Sequence, residues 1–166
     1  LGMQGLGVLT GGSVGSSSVA YAASSDGSKV VGGGQIPDTL SRDAFLWDSQ
    51  AGVLKGIGDL PGGEVSSTAR GISDDGSVIV GRSFTALGSE AFRWTEETGL
   101  ESLGELPGGS FGSTAFDASS DGSIIIGASF SDGGTEALIW EAMGGIAGLG
   151  DLPGSAFGSY AKAVSD

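Results

Sequence analysis

The chain has 166 residues, 34 of them glycine, and carries 20 acidic against 7 basic side chains for a net charge of −13. That balance excludes a phosphate-backbone partner, which needs a basic face to displace counterions, and docking on an anionic membrane leaflet. Cysteine, histidine and asparagine are absent, which removes disulfides, thiolate and imidazole chemistry and N-glycan acceptors.

A four-residue signal recurs as Leu6-Gly7-Val8-Leu9, Ile57-Gly58-Asp59-Leu60, Leu103-Gly104-Glu105-Leu106 and Leu149-Gly150-Asp151-Leu152. Its glycines lie 51, 46 and 46 residues apart, and Trp47, Trp94 and Trp140 keep nearly the same step. A period near 46 residues belongs to propeller blades and solenoid coils. The units run 1–57, 58–103, 104–149 and a partial 150–166. The extra residues of the first unit fall in loops, around Gly15-Ser16-Ser17, around Ile36-Pro37-Asp38 and before Gly58.

Each unit reads as four short strands. The first covers Ser18 to Ala23, Ser67 to Ile72, Ser113 to Ala118 and Ser159 to Val164. At period two its serine and alanine (Ser67 and Ala69, for example) share one small face that lets a neighbour approach closely. The other face is mixed: Tyr21, Arg70, Phe116 and Lys162. Asp-Gly follows at Gly27, Gly76 and Gly122, and between two strand-like runs it predicts a tight type I′ hairpin turn. The second strand is apolar on both faces in Val78-Ile79-Val80 and Ile124-Ile125-Ile126, as a doubly covered position requires. Lys29-Val30-Val31 is weaker and reads as nearer an edge.

The third strand sends Phe92 and Trp94 one way and Ala91 and Arg93 the other, and Phe45/Trp47 and Leu138/Trp140 repeat the large face. A large face against a neighbour's small face fills the space between layers. The fourth strand is short, beginning at Gly52, Gly99 and Gly145, and Gly2 to Leu6 match its end. It runs into Leu-Pro-Gly, where Pro61, Pro107 and Pro153 pre-set φ for a type II turn. No stretch reads as a helix. The fold class is therefore all-β: tandem four-stranded repeats like propeller blades, with a β-solenoid as the alternative, and not closed within this chain.

The linked motifs Glu90-Ala91-Phe92-Arg93-Trp94, Asp59-Leu60-Pro61-Gly62-Gly63 and Ser73-Asp74-Asp75-Gly76-Ser77 resemble the bacterial HAF repeat over nearly the whole chain. That family is named for a His-Ala-Phe triplet. Here the His position holds Asp43, Glu90 and Glu136, and Leu138 replaces the Phe in the third copy. The resemblance implies an extracellular or cell-surface bacterial protein of propeller-like, all-β build. It supplies no catalytic residues.

Candidate sites follow from the repeated acids and aromatics. Asp74, Asp75 and Asp121 are the candidate calcium ligands, but without a D-x-D-x-D-G loop and distal Glu they read as turn residues. No other cofactor is expected. Asp59, Glu105 and Asp151 form a column before Leu-Pro-Gly and read the same way. Asp43, Glu90 and Glu136 line a ladder instead of converging, so catalysis is not expected. The tryptophans read as packing before they read as a carbohydrate-stacking stripe. Trp47, Trp94, Trp140, Gly27, Gly76, Gly122, Pro61, Pro107 and Pro153 are the structural repeat positions. Serine-rich loops such as Gly15-Ser16-Ser17-Ser18 would accept O-glycans outside a cell. No run approaches the ~20 apolar residues of a membrane span. The chain opens without a signal segment and reads as a mature or excerpted piece.

The leading expectation is an extracellular structural or adhesive protein, a head-to-tail filament subunit joined through open strand edges. The alternative is a propeller-type module that binds glycans or another ligand.

Overall fold

The computed structural model describes residues 5–7, 9, 17–37, 39–153 and 157–165. The strand end expected at residues 2–4, the turn at 10–12, the loop at 15–16 and Asp38 lie outside them. Among the described residues there are twelve strands and no helix. The first sheet is β1 (Ser18–Ala23), β2 (Lys29–Gln35), β3 (Arg42–Asp48) and β4 (Val53–Gly58). The second is β5 (Ser67–Ile72), β6 (Ile79–Thr85), β7 (Gly88–Thr95) and β8 (Gly99–Gly104), and the third β9 (Gly108–Ala118), β10 (Ile124–Ser131), β11 (Gly134–Glu141) and β12 (Gly145–Gly148). Each sheet is an antiparallel meander in sequence order.

The three sheets fan out. Their first strands β1, β5 and β9 lie against one another, whereas the last strands β4, β8 and β12 barely touch. Coils stacked at constant spacing would keep the last strands as close as the first. The units are therefore blades, and the solenoid alternative falls away.

Two turn types carry the connections. Gly62 and Gly108 take φ of +102° and +84° after Pro61 and Pro107, as the type II turn requires. The Asp-Gly turns differ from the expected two-residue form. In the second sheet Ser73 N–H donates to Val78 O and Gly76 N–H to Ser73 O, which closes a four-residue loop. Gly76, at φ +71°, supplies the left-handed position. The aspartate caps this loop with its side chain, so its own backbone need not turn left-handed.

Packing between sheets also departs from the sequence reading. Ala69, Gly81 and Phe92 stand in one register row, so small and large residues share a face. The Phe92 ring lies over Gly81, where an added Cβ would come within 3.0 Å of the ring. That face, with Ile79 and Trp94, packs on Val31, Ala44, Leu46 and Ile57 of the first sheet. The next interface repeats the plan with Val80, Ala91 and Leu103 against Ala115, Ile125 and Trp140. The neighbour's small residue is thus the alanine of its third strand. β2 runs between β1 and β3, not at an edge; the Lys29 ammonium donates to Gly76 O at 2.9 Å, which lets a lysine stand where Val78 stands in the second unit.

The small serine is a polar clamp. Ser67 Oγ accepts the buried Ala44 N–H at 2.8 Å and donates to Gly58 O at 2.7 Å. Ser113 joins Ala91 and Gly104 at 2.8 and 3.0 Å, and Ser159 joins Ala137 and Gly150 at 2.9 and 2.7 Å. Ser18 keeps the second bond, to Gly7 O at 2.9 Å. At Ser67, Ser113 and Ser159 one hydroxyl therefore ties three chain segments across a blade interface.

Residues 157–165 lie along the third sheet as β9 lies along the second, through Ser159 N–H to Thr135 O and Ala161 N–H to Gly127 O. They form a single bridge residue, Gly158, and not the strand expected over Ser159 to Val164. Leu149 and Leu152 are 56% and 82% exposed, whereas their counterparts Leu103 and Leu106 are 7% and 6% exposed under the following blade.

Replacing Ser67 or Ser113 by alanine strands a buried N–H and a carbonyl, a loss of about 1–3 kcal/mol each. The same change at Ser18, which holds one exposed bond, stays within ~0.5 kcal/mol. Urea unfolding of the three variants checks the contrast, and equal midpoints would remove the clamp from the account.

Candidate functional site

The Asp-Gly loops of all three blades gather at one end of the fan. Within each, one carboxylate oxygen takes a serine hydroxyl and a serine amide: Ser24 and Ser28 on Asp26 at 2.7 and 2.9 Å, Ser73 and Ser77 on Asp75 at 2.7 and 2.8 Å, Ser119 and Ser123 on Asp121 at 3.0 and 2.9 Å. The Ser28 amide holds the Asp26 carboxyl at about 2, the Ser73 hydroxyl lowers Asp75, and the Ser123 amide lowers Asp121. Adjacent loops are also joined. Ser25 N–H reaches Asp74 O at 3.1 Å, Asp75 N–H reaches Ser120 O at 3.2 Å, and Ser120 Oγ reaches Asp74 Oδ2 at 2.8 Å. Asp75 and Asp121 are thus engaged with donors of their own turns, and Asp74 with a hydroxyl of the neighbouring turn. Among the described residues no three acids gather as a metal site would need.

The other acid columns bind backbone amides as well, apart from Glu90, which accepts none from the described residues. Asp59 takes Ser66 N–H at 3.3 Å and the Ser83 hydroxyl, Glu105 takes Gly112 N–H with both oxygens at 3.1 and 3.0 Å, and Asp151 takes Gly158 N–H at 2.7 Å. Each pins the loop that leads into the next clamp serine. Asp43 accepts Gly58 N–H at 3.1 Å and Glu136 accepts Gly150 N–H at 2.8 Å. Burial raises Asp43 above its ordinary 3.8 and Glu105 above its ordinary 4.5, against the pull of those amides, and the like charges of Asp59 and Glu90 push weakly the same way.

The tryptophans split. Trp94 is buried in the first interface, and Trp140 and Trp47 are half-buried against the second interface and the outer face of the first sheet. Beside the Asp-Gly loops opens a cleft of about 470 Å³ lined by Lys29 of the first blade, Trp94, Glu96 and Glu97 of the second, and Asp121 of the third. A smaller hollow of about 170 Å³ continues it past Lys29 and Glu96 to Asp48 and Lys55. This cleft, within the range of small-molecule sites, presents both charge signs and an aromatic edge. Lys29, Glu96 and Glu97 escaped the sequence reading because a repeat comparison favours recurring positions, and these do not recur. The hairpin composition Thr95-Glu96-Glu97-Thr98 was the available signal.

No family model and no curated protein matches the chain. Solved structures do. A putative TolB from Agrobacterium tumefaciens superposes with a TM-score of 0.60 and 19% identity over 78% of this chain and 45% of that one. TolB from Acinetobacter baumannii gives 0.61 and 17% over 84% and 33%, and one of two prolyl endopeptidases studied for inter-domain dynamics gives 0.58 and 14% over 85% and 22%. The fold is that of TolB-like β-propeller blades. At these identities the likeness shows the fold alone, and the chain spans less than half the length of each.

The carboxyls make opposite demands on pH. Asp26, Asp75 and Asp121 have folded values below the ordinary 3.8, so their stabilisation is full above it and is lost as pH falls towards those values. Asp43 and Glu105 have raised values, so folding gains as pH falls through them. Urea midpoints measured from neutral to strongly acid pH rise and then fall, and Asp43→Asn flattens the rising limb.

Proposed function

We propose that these blades belong to an extracellular β-propeller binding module, with its ligand seated in the cleft beside the Asp-Gly loops. The observation that carries this reading is the cleft's construction: three successive blades contribute Lys29, Trp94 and Asp121 to one concavity. Propellers assemble sites in this way because loops at one end of every blade face a common space. The bonding of the recurrent acids to backbone amides supports binding over catalysis, since those carboxylates already serve as acceptors for nearby loops. The extracellular placement draws its support from the HAF-repeat resemblance.

A filament subunit joined through strand edges gains nothing from the likeness to TolB-like blades. Exposed Leu149 and Leu152 would be covered by any further blade. Calcium stays the weaker expectation for Asp74, Asp75 and Asp121, and the test is a thermal melt with and without millimolar calcium, where an unchanged midpoint rejects it.

A glycan array followed by titration of its best hit checks the module reading. Glu96→Ala and Glu97→Ala, both exposed hairpin positions, weaken that hit about tenfold, the worth of a charge-assisted bond, and leave the melting midpoint in place. An array without hits, or hits indifferent to both variants, would sink the cleft as the site.

A further inference from the structure

A second surface is built on a feature repeated in every blade. The pairing of the first and second strands slips by one residue at the same place in each sheet, leaving Tyr21, Arg70 and Phe116 as the extra, bulged residues. A bulge re-aims its side chain out of the pleat. Because β1, β5 and β9 are neighbours, the three residues form a row across the blades, and Lys162 holds the equivalent place beside β9. The row alternates ring, cation, ring, cation. The Arg70 guanidinium lies 5.4 Å from the Tyr21 ring centre, and the Lys162 ammonium lies 3.8 Å from that of Phe116 and 5.0 Å from that of Tyr160. Arg82 joins them, 5.5 Å from Phe84.

The charge pattern is the informative part. With 20 acids to 7 bases, a cation has carboxylates to spare. Yet among the described residues the only ion pair is Arg93 with Glu101. Arg70, Arg82 and Lys162 meet no carboxylate, Arg70 and Arg82 repel each other, and the Nε of each is buried with no acceptor. Two like charges held together without a counter-ion cost folding energy that a bound anion recovers. Guanidiniums stacked on rings keep their outer N–H fork free for a bidentate carboxylate. Beside Arg82 a hollow of about 190 Å³, lined by Arg82, Phe116, Phe130, Tyr160, Thr114 and Thr135, offers roughly six waters' worth of space. That fits a single pyranose and not a polymer segment.

We propose that this inner-strand surface binds a uronic acid residue, its ring in the hollow against the aromatics and its carboxylate on Arg82 and Arg70. An anionic peptide would use the guanidiniums but leave the rings and threonines unmatched, and a neutral sugar would leave the guanidiniums uncompensated. A long polyanion is opposed by the −13 charge of the rest of the chain. The surface shares no residue with the Asp-Gly cleft, so it stands or falls independently of the site proposed there.

Calorimetric titration of the full chain with trigalacturonate, its fully methyl-esterified form and a pentaglutamate peptide decides the matter. Trigalacturonate binds, the ester binds at least tenfold more weakly, and Arg82→Gln and Arg70→Gln each weaken the acid at least tenfold. Met143→Ala, fully exposed and lining neither the hollow nor the cleft, changes nothing. Exposed Lys162→Gln provides a variant that leaves the packed interior alone and weakens binding several-fold. No heat with trigalacturonate at millimolar concentration overturns the proposal. So does affinity unchanged by Arg82→Gln or Lys162→Gln, and pentaglutamate binding more tightly than the sugar transfers the surface to peptide ligands and overturns it as well.

Discussion

The blade interface depends on one hydrogen-bonding obligation. Ala44 and Ala91 are fully buried on third strands, and Ala137 nearly so, and the N–H of each would otherwise have no acceptor. A buried unpaired amide costs more than a typical bond contributes. The clamp serine of the following unit meets that need and donates onward to the glycine carbonyl that ends the same blade. Apolar contact alone would let neighbouring sheets slide, since hydrophobic attraction is not directional. The hydroxyl sets the register between blades. It also explains why the first strand must be small at that position: a larger side chain would hold the strands apart and break both bonds.

The bulge follows from the same close approach. Gly32, Gly81 and Gly127 pair with Ala20, Ala69 and Ala115 immediately before the slip, and a Cβ there would strike the carbonyl of Val19, Thr68 or Thr114. Glycine therefore permits the strands to approach, and the slip discharges the strain of twisting them. Its side effect is functional. Residues that would alternate into an interface are turned out of the pleat and aligned from blade to blade, which is how a packing constraint comes to present a row of cations and rings.

Much of this was readable in the residues. The step of 46, the four strands per unit and the aromatic face of the third strand all appear where spacing and alternation place them. The rest was hidden for identifiable reasons. Ser67 was recognised as small, but its partner Ala44 lies 23 residues earlier, on another sheet, and only the fan brings them together. The bulge did leave a trace in β9, where the buried positions run Ser113, Ala115 and Ala118, a step of two followed by a step of three. Reading Ser113 to Ala118 as an unbroken alternation missed it. The Asp-Gly dipeptide suggested a shorter turn than forms, since the flanking serines that lengthen it act through side-chain bonds that a dipeptide rule does not consider.

The chain's acidity takes on a different meaning in this light. Most of its recurrent carboxylates are caps that accept amides or hydroxyls from turns and loops with no helix to satisfy them. In an all-β chain with many tight connections, Asp and Glu supply the acceptors that backbone carbonyls cannot reach. Many of them are therefore accounted for by the turns and loops they close. The few cations follow another rule. Lys29 serves a carbonyl and Arg93 an acid, whereas Arg70 and Arg82 lie against rings, Arg82 beside a hollow, and pair with no acid among the described residues. In a sequence this rich in carboxylates, leaving a pair of guanidiniums without one is the arrangement that most needs something outside the chain to complete it.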